Sequence, residues 1–256
     1  MLGVSPVFLE KDRFILRLAE TVEEIKQAQN LRHRCFFPNQ DPSGLDQDKF
    51  DEIADHLIAI DKTNKRVVGT YRFMRQEHTE KVGGYYSETE FDLSFLNKLS
   101  GNKLELGRSC VDEAYRKSGV ATLLWLGCGA YVYAYDINVL FGCASFPDID
   151  PRLHAQALSY LHYELGPPNR LEVRATTDQV VRTNVLPESE IDKRKALDEM
   201  PALIKGYCKM GGWFSREAAV DTEFNCLDLL LCVSDETAPQ KYHKRFKRPD
   251  FVRSMP

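Results

Sequence analysis

The strongest constraint on the fold is a predicted strand, a basic turn and a long apolar helix in direct succession. The strand covers residues 103–112 (KLELGRSCVD), and residues 120–135 (VATLLWLGCGAYVYAY) are apolar almost all round. A helix of that composition fits against a sheet better than it fits solvent. Because another strand follows at residues 139–146 (VLFGCASF), the sequence predicts a strand–helix–strand crossover at the centre of a sheet.

Periodicity, caps and turn residues predict further elements on both sides of this crossover. Before it we expect a strand at residues 13–20, a helix capped by Thr21 at 21–37, a hairpin of 56–61 and 66–74, and a surface excursion at 83–96. After it we expect a helix at 151–165, a helix within 193–212 that is interrupted at Pro201 or begins there, and strands at 216–224 and 226–234. This order predicts an α+β fold in a single domain, residues 1–256, with a C-terminal extension and basic tail at about 235–256.

Composition excludes several classes of protein. No apolar run approaches the roughly 20 residues that cross a bilayer. The first residues, MLGVSPVFLEKDRF, lack the basic and apolar regions of a secretory signal, so we expect a cytoplasmic location. A net charge of −4 argues against general nucleic-acid affinity. The seven cysteines form no CxxC pair or zinc spacing, which favours free thiols.

The turn before the apolar helix suits an anion. Its residues of interest are Arg116, Lys117, Ser118, Gly119 and Ala121. The first N–H groups of a helix have no intrahelical acceptor, and a glycine lets a phosphate approach the backbone closely. An ordinary basic helix start explains the same residues equally well. Neither GxxxxGK[ST] nor GxGxxG is present, so an NTPase or dinucleotide enzyme is not supported.

This turn resembles the pantetheine-pyrophosphate loop of the GNAT acyltransferase superfamily. Other stretches, among them LRHRCFF, VVGTYRFM, LELGRSCV and PALIKGYCKMGGWF, resemble the hemolysin-like GNAT subfamily that contains L-ornithine N-alpha-acyltransferases. The resemblance runs from about Arg13 to about Val233 and implies a GNAT fold. It also implies acylation of ornithine from 3-hydroxyacyl-acyl carrier protein, the first step of ornithine-lipid synthesis.

The acyl-homoserine-lactone synthases are more distantly similar, and they suggest site residues. Arg32 and Phe36 match the Arg-x-x-x-Phe element of that family, and Asp51 and Asp55 fall within its acidic element. Arg72 matches the arginine that follows the hairpin, and Glu105 with Arg108 matches the Glu-x-x-Arg element. The acidic spacing departs from that family, so Asp48 competes with Asp51 for the match. In GNAT proteins strand amides hold the acyl carbonyl, which implies a donor role for Cys110 and Val111 beside the basic turn.

Aminolysis of a thioester needs a base, and Glu105 is the best candidate. Arg108 lies three residues on, so strand alternation puts it on the opposite face unless the chain bulges near Gly107. Asp51 and Asp55 would share a helix face and suit a cationic amino acid if their segment is helical.

The arginines of this set, Arg32, Arg72 and Arg108, suit the substrate carboxylate, because a guanidinium group binds a carboxylate bidentately. A partly buried ion-pair network among Glu105, Arg108, Asp55 and Arg72 is the alternative explanation.

An acyl-cysteine intermediate on Cys110 or Cys143, with His154 or His162 as base, is disfavoured because both cysteines lie in apolar strands. His162 and Tyr163 lie near the place where many GNAT enzymes carry a proton donor for the leaving thiolate, and each could equally be a core residue. No metal is predicted, since DQDKFDEIADHL lacks the glycine and glutamate of a calcium loop.

The family resemblance implies direct transfer of a (3-hydroxy)fatty acyl group from acyl carrier protein to an amino acid, most simply L-ornithine, with no tightly bound cofactor. Glycine, glutamine or lysine as acceptor, acyl-CoA as donor, and lactone synthesis stay open. So does a non-catalytic carrier-binding module. The basic tail residues could meet the anionic carrier or a membrane surface, although solvated charge is their default; they are Lys241, Lys244, Arg245, Lys247 and Arg248.

Overall fold

The structure is a computed structural model that describes residues 7–239. The described chain forms two compact units: residues 7–83 with 106–137, and residues 84–105 with 138–239. Among these residues no helix is both long and apolar enough to cross a membrane. The basic tail residues Lys241 to Arg248 lie outside the described part of the chain.

The first unit is built on strands that neighbour one another in chain order. They are β1 (Phe8–Lys11), β2 (Phe14–Leu18), β3 (Asp55–Asp61), β4 (Arg66–Arg75) and the second half of β5 (Asn102–Val111). The pairs from β1 to β4 are antiparallel. The helices of this unit are α1 (Val22–Phe36), α2 (Gln76–Val82) and α3 (Val120–Ala134). The predicted hairpin is confirmed by pairing of Ile58 with Thr70. The predicted cap is also confirmed, because the Thr21 hydroxyl accepts from the Glu24 N–H at 3.2 Å. Strand β1 was not predicted.

Helix α3 confirms the central prediction for this unit. One face buries Leu123, Leu124, Cys128 and Tyr131, and the helix approaches the sheet most closely at Gly127. A methyl group at Gly127 would overlap the side chains of Leu16 on β2 and Leu57 on β3. The absence of a side chain there is what lets α3 lie close to the strands.

The second unit holds an antiparallel sheet in the order β6-β9-β8-β7. Its strands are β6 (Ile137–Pro147, apart from its first residue), β7 (Val180–Arg182), β8 (Trp213–Asp221) and β9 (Cys226–Ser234), and its helices are α4 (Ala155–Glu164), α5 (Lys193–Glu199) and α6 (Ala202–Lys209). Pro201 separates α5 from α6 as predicted, because proline fits only the first turn of a helix. Strand β7 was not predicted, because three residues are too few to show the alternation of apolar and polar side chains that identifies a strand.

The prediction of a surface excursion at residues 83–96 is wrong. Two short 3-10 turns there bury Tyr85, Phe91 and Phe95, and the Phe95 ring packs edge-on against Trp213 with centroids 5.3 Å apart. The aromatic residues follow no helical or strand period, so periodicity could not show that they point inward. These rings are therefore part of the core of the second unit.

Gly127→Ala tests the close approach of α3. We expect a loss of about 1–3 kcal/mol in the free energy of unfolding, because overpacking outweighs the gain in helix propensity. Urea unfolding measures it. Gly107→Ala is the control, since a methyl group there would meet only the Arg72 Nε atom, at 4.0 Å. Equal stability of the two variants would contradict this account of the packing.

Candidate active site

A buried network of alternating charges occupies the first unit, and Arg32 lies at its centre. This α1 side chain is fully buried, and its Nη1 and Nη2 atoms reach the two Asp51 carboxylate oxygens at 2.8 and 2.7 Å. Its Nε atom donates to Asp46 at 2.7 Å. The bidentate geometry is the strong form of this contact and fixes the loop that carries both acids against α1.

Arg72 and Arg108 extend the network from β4 and β5. The Arg72 Nη1 atom lies 2.6 Å from Asp48 and 3.0 Å from Asp51. Arg108 pairs through Nε with Asp46 at 3.2 Å and through Nη2 with Asp48 at 3.4 Å. Three guanidinium groups therefore meet three carboxylates. Arg72 and Arg108 thus enter an ion-pair network, but its acids are Asp46, Asp48 and Asp51, whereas the alternative had named Glu105 and Asp55.

The network sets the ionisation of its buried acid. Burial raises the pKa of the Asp51 carboxyl, but hydrogen bonds and charge from Arg32, and then from Arg72, hold it well below its usual range. Asp48 differs, because 22% of its side chain is exposed, against 2% for Asp51. Asp48 and its partner Arg108 form the edge of the network that a ligand can reach.

Asp55 is not part of this network, and its expected helix is absent. Residues 50–54 form turns, and Asp55 is the first residue of β3. Its carboxylate accepts from the Tyr131 hydroxyl and lies 3.6 Å from Arg75. Asp51 and Asp55 therefore do not share a helix face, because the single turn at residues 50–54 ends where β3 begins. Phe36, the last residue of α1, is half-buried.

The expected distortion of β5 falls at Arg108. Its φ of +54° lies in the left-handed region, one residue after Gly107. For a residue other than glycine this costs about 1–2 kcal/mol. The ion pairs of Arg108 oppose that cost, and the distortion breaks the simple alternation of side chains along the strand.

The basic turn is open, as an anion site requires. Arg116, Lys117, Ser118, Gly119 and Ala121 are all exposed. Gly119, with φ +87°, is the N-cap residue of the 15-residue helix α3, and a methyl group there would meet nothing within 4 Å. The first N–H groups of α3 therefore face open space beside two cations.

Cys110 and Val111 precede this turn on β5, where the Cys35 thiol donates to the Val111 carbonyl at 3.7 Å. Burial raises the pKa of the Cys110 thiol and also that of Cys143, which disfavours a thiolate nucleophile at either position.

In the second unit Glu105 is held by backbone donors. Its carboxylate accepts from the N–H groups of Tyr86 at 2.9 Å and Ser87 at 2.6 Å, and only 4% of the residue is exposed. Two N–H donors at the start of a 3-10 turn form charge-assisted hydrogen bonds that orient the carboxylate.

Sequence reasoning missed a second acidic cluster in this unit. Glu90 and Asp228 are buried carboxyls, and burial first and Asp228 second raise the pKa of Glu90 to about 8. Asp221, Cys226 and Asp228 also bring three potential ligand atoms within 4.8 Å of one another. The one available signal was Asp228, a single acid inside the otherwise apolar strand CLDLLLCVS.

His162 and Tyr163, the possible proton donors, lie on α4. The His162 Nδ1 atom pairs with the Thr183 hydroxyl at 2.9 Å, and Tyr163 is exposed. Burial, followed by the charges of Arg216 and Arg182, lowers the pKa of His162. The neutral imidazole is therefore favoured, which is a poor proton donor. It lines an open cleft of about 610 Å³.

Comparison with known proteins identifies relatives across nearly the whole chain. A family model described as an acetyltransferase (GNAT) domain matches residues 31–126. An L-ornithine N(alpha)-acyltransferase of Brucella abortus is 36% identical, covering 89% of this chain and 86% of that protein. One of Rhodobacter capsulatus is 35% identical, covering 91% and 94%. A solved CoA-dependent acyl-homoserine lactone synthase, BjaI, is 15% identical with a TM-score of 0.40 over 89% of this chain and 83% of that chain.

Asp51→Asn tests the energetic role of the network. Removing the Asp51 charge leaves the buried charges of Arg32 and Arg72 without that partner, so we expect the free energy of unfolding to fall by about 3–5 kcal/mol at neutral pH. Because the folded-state pKa of Asp51 is depressed, its contribution is present above about pH 4 and is lost as the pH falls further. The free energy of unfolding of the variant, measured as a function of pH, should therefore fall less steeply below about pH 4 than that of the wild type. Asp178→Asn, at an exposed position, should match the wild type.

Proposed function

The chain belongs to the L-ornithine N-alpha-acyltransferase family of GNAT-fold enzymes, and from this membership we propose that it transfers a 3-hydroxyacyl group from acyl carrier protein to the alpha-amine of L-ornithine. The product is a lyso-ornithine lipid. The observation that carries the proposal is identity of 35–36% to proteins of that name across about nine-tenths of the chain. The chain is thus an acyltransferase, and the acceptor and the carrier are the proposed parts.

On the donor side, the phosphate of the pantetheine arm binds at the turn from Arg116 to Ala121. Arg116 and Lys117 are exposed, and a methyl group at Gly119 would meet nothing within 4 Å, so an anion has room beside the turn. The first N–H groups of a helix also have no intrahelical acceptor and are available to a phosphate. An anion there gains both the positive end of the α3 dipole and two mobile cations. Cys110 and Val111 then carry the backbone that the acyl arm follows.

On the acceptor side, the exposed edge of the charge network binds the amino acid. Asp48 offers a partly exposed carboxylate to the cationic side chain of ornithine, and Arg108 offers donors to its carboxylate. Asp46, Arg32 and Asp51 hold these two groups in place without touching substrate. A rigid network of this kind lowers the entropic cost of orienting the amine.

Glu105 accepts the proton that the attacking alpha-amine must lose. An alpha-amine is largely protonated at neutral pH, so a base is needed before the nitrogen lone pair can attack the thioester carbonyl. The oriented carboxylate of Glu105 supports this role. Attack is direct, since both candidate thiols, Cys110 and Cys143, have raised pKa values.

The product of the reaction tests the proposed function. Purified full-length protein is incubated with 3-hydroxyacyl-carrier or acyl-CoA and with ornithine, lysine, glycine, glutamine or S-adenosylmethionine, and products are identified by mass. We expect N-alpha-acylornithine from the carrier donor as the main product. Another acylated amine would correct the acceptor. Carrier binding without any acylated product would instead support a non-catalytic carrier-binding module.

Arg116→Ala tests the donor turn. Losing a charged hydrogen bond of about 1.5–3 kcal/mol should raise the donor KM by about tenfold or more, while the ornithine KM stays unchanged. Steady-state kinetics with each substrate varied in turn makes the measurement. Arg66→Ala, an exposed arginine of the same unit, is the control. A defect confined to the ornithine KM would contradict the assignment of this turn.

A further inference from the structure

A cleft of about 610 Å³ opens in the second unit and is lined by residues of that unit alone. We call it the β7–β8 cleft, because its cationic residues Arg182 and Arg216 lie on those strands. His162 of α4 and the segment 167–174 that follows α4 complete the lining used below. The volume lies within the range of small-molecule sites. The acyl transfer proposed above makes no use of this cleft.

The two arginines of the cleft lack partners. Arg182 and Arg216 are exposed, and neither guanidinium group has an ion pair or a hydrogen bond within residues 7–239. A guanidinium group carries a permanent charge and a planar set of N–H donors that suits the oxygens of an anion. The cleft therefore presents two sets of free donors to a ligand.

The acids of the cleft do not neutralise these arginines. The Glu172 carboxylate accepts from the Arg174 Nε atom at 2.9 Å. The Glu217 backbone pairs with that of Arg182, yet its carboxylate accepts from the Ala175 N–H at 3.2 Å. Both carboxylates are thus engaged with the segment beside the cleft, and its two free positive charges stay uncompensated.

A bulge in β8 presents Arg216 to the cleft. The register with β9 shifts between Phe214 and Ala218. The Ser215 hydroxyl fills the gap, since it donates to the Glu217 carbonyl at 2.6 Å and accepts from a β9 N–H at 3.0 Å. Successive residues of a regular strand point to opposite faces, whereas the bulge lets Arg216 and Glu217 line one cleft.

The ends of α4 and β7 also hold Arg216 in place. Its Nε and Nη2 atoms lie so close to Gly166 that a methyl group there would be 3.0 Å from each. The Thr183 N–H and hydroxyl donate to the Arg216 carbonyl at 3.2 and 3.0 Å. This side chain is therefore positioned by three elements although it forms no ion pair in the described part of the chain.

The same contacts fix the tautomer of His162. The Thr183 hydroxyl donates its proton to the Arg216 carbonyl, so it accepts from the His162 Nδ1 atom at 2.9 Å. The lone pair of the neutral ring then lies on Nε2. Burial, then the charges of Arg216 and Arg182, lower the pKa of His162, and no other described charge acts on it. An anion that offsets these two charges would therefore raise that pKa.

We propose that the β7–β8 cleft binds a phosphate monoester through Arg182, Arg216 and the His162 Nε2 atom. A phosphate group carries up to two negative charges and three acceptor oxygens, so it can satisfy both arginines at once. One proton shared between the phosphate and Nε2 completes the site. A single carboxylate has one charge and two oxygens and would leave one arginine unsatisfied.

The cleft has room for more than the phosphate. Its volume of about 610 Å³ exceeds that of the ion, and its lining includes the buried apolar residues Pro167, Leu171 and Val173. Ligand sites commonly combine such a surface with a few polar groups that fix orientation. The organic part of the ester therefore packs on this segment. A soluble metabolite and a lipid headgroup can both supply the same phosphate chemistry.

The imidazole resonance of His162 provides the test, because it reports on this cleft alone. Full-length protein is titrated with inorganic phosphate and with glycerol 3-phosphate and followed by NMR, and His162→Gln assigns the signal. We expect a saturating shift, a higher pKa of His162 in the bound state, and tighter binding of the ester. Arg182→Ala and Arg216→Ala should each weaken binding by about tenfold or more.

Two variants control for general charge and for the donor turn. Arg194→Ala removes one positive charge from an exposed position of α5 outside the cleft lining, and Arg116→Ala removes one from the donor turn. Both should leave the His162 titration unchanged. Arg216→Lys, which keeps the charge, should bind more tightly than Arg216→Ala. An equal loss in Arg194→Ala and Arg216→Ala would overturn the site.

Vesicles of phosphatidylcholine with or without phosphatidic acid separate the two sources. Sedimentation that requires both phosphatidic acid and Arg216 would assign a lipid headgroup, and a response to glycerol 3-phosphate alone would assign a soluble ester. Tighter binding of succinate than of either phosphate would overturn the phosphate class. So would a wild type that responds to none of the phosphate probes. None of these readouts requires acyl transfer, so the outcome is independent of the proposed function.

Discussion

The first unit depends on the bidentate pair between Arg32 and Asp51. A fully buried guanidinium group is costly unless its donors are satisfied, and Asp51 and Asp46 satisfy them from a loop that has no regular structure of its own. The contact therefore does two things at once. It neutralises the buried charge of an α1 side chain, and it ties the loop to α1 beside the backbone hydrogen bond from Asp46 N–H to the Gln29 carbonyl at 3.2 Å.

The position of Arg108 follows from this loop. Once Asp46 and Asp48 are fixed, they draw Arg108 into a left-handed backbone conformation that strand geometry alone disfavours. The strain is local and falls where β5 changes from one unit to the other. Uncompensated strain of this kind is removed by relaxation, so its presence indicates that the ion pairs outweigh it.

The sequence predicted the regular elements well because their signals are local. Thr21 caps α1, Pro201 separates two helices, and the apolar run of α3 packs on strands, each for reasons within a few residues. Long-range contacts have no such signal. Asp51 and Asp55 were matched by spacing, yet the first joins Arg32 while the second joins Tyr131, 76 residues away. Glu90 lies in a stretch that was read as surface and is buried by aromatic residues of no regular period.

The two units handle buried acids in opposite ways, and the difference is chemical. In the first unit guanidinium groups hold the Asp51 pKa low, so the carboxylate stays charged across the neutral range and serves as a fixed anchor. In the second unit, burial and a like charge raise the pKa of Glu90 into the range where protons move. A permanently charged acid positions substrates well but exchanges no proton. An acid without a cation beside it is less favourable for folding, because its charged form loses hydration and gains no attractive partner in return.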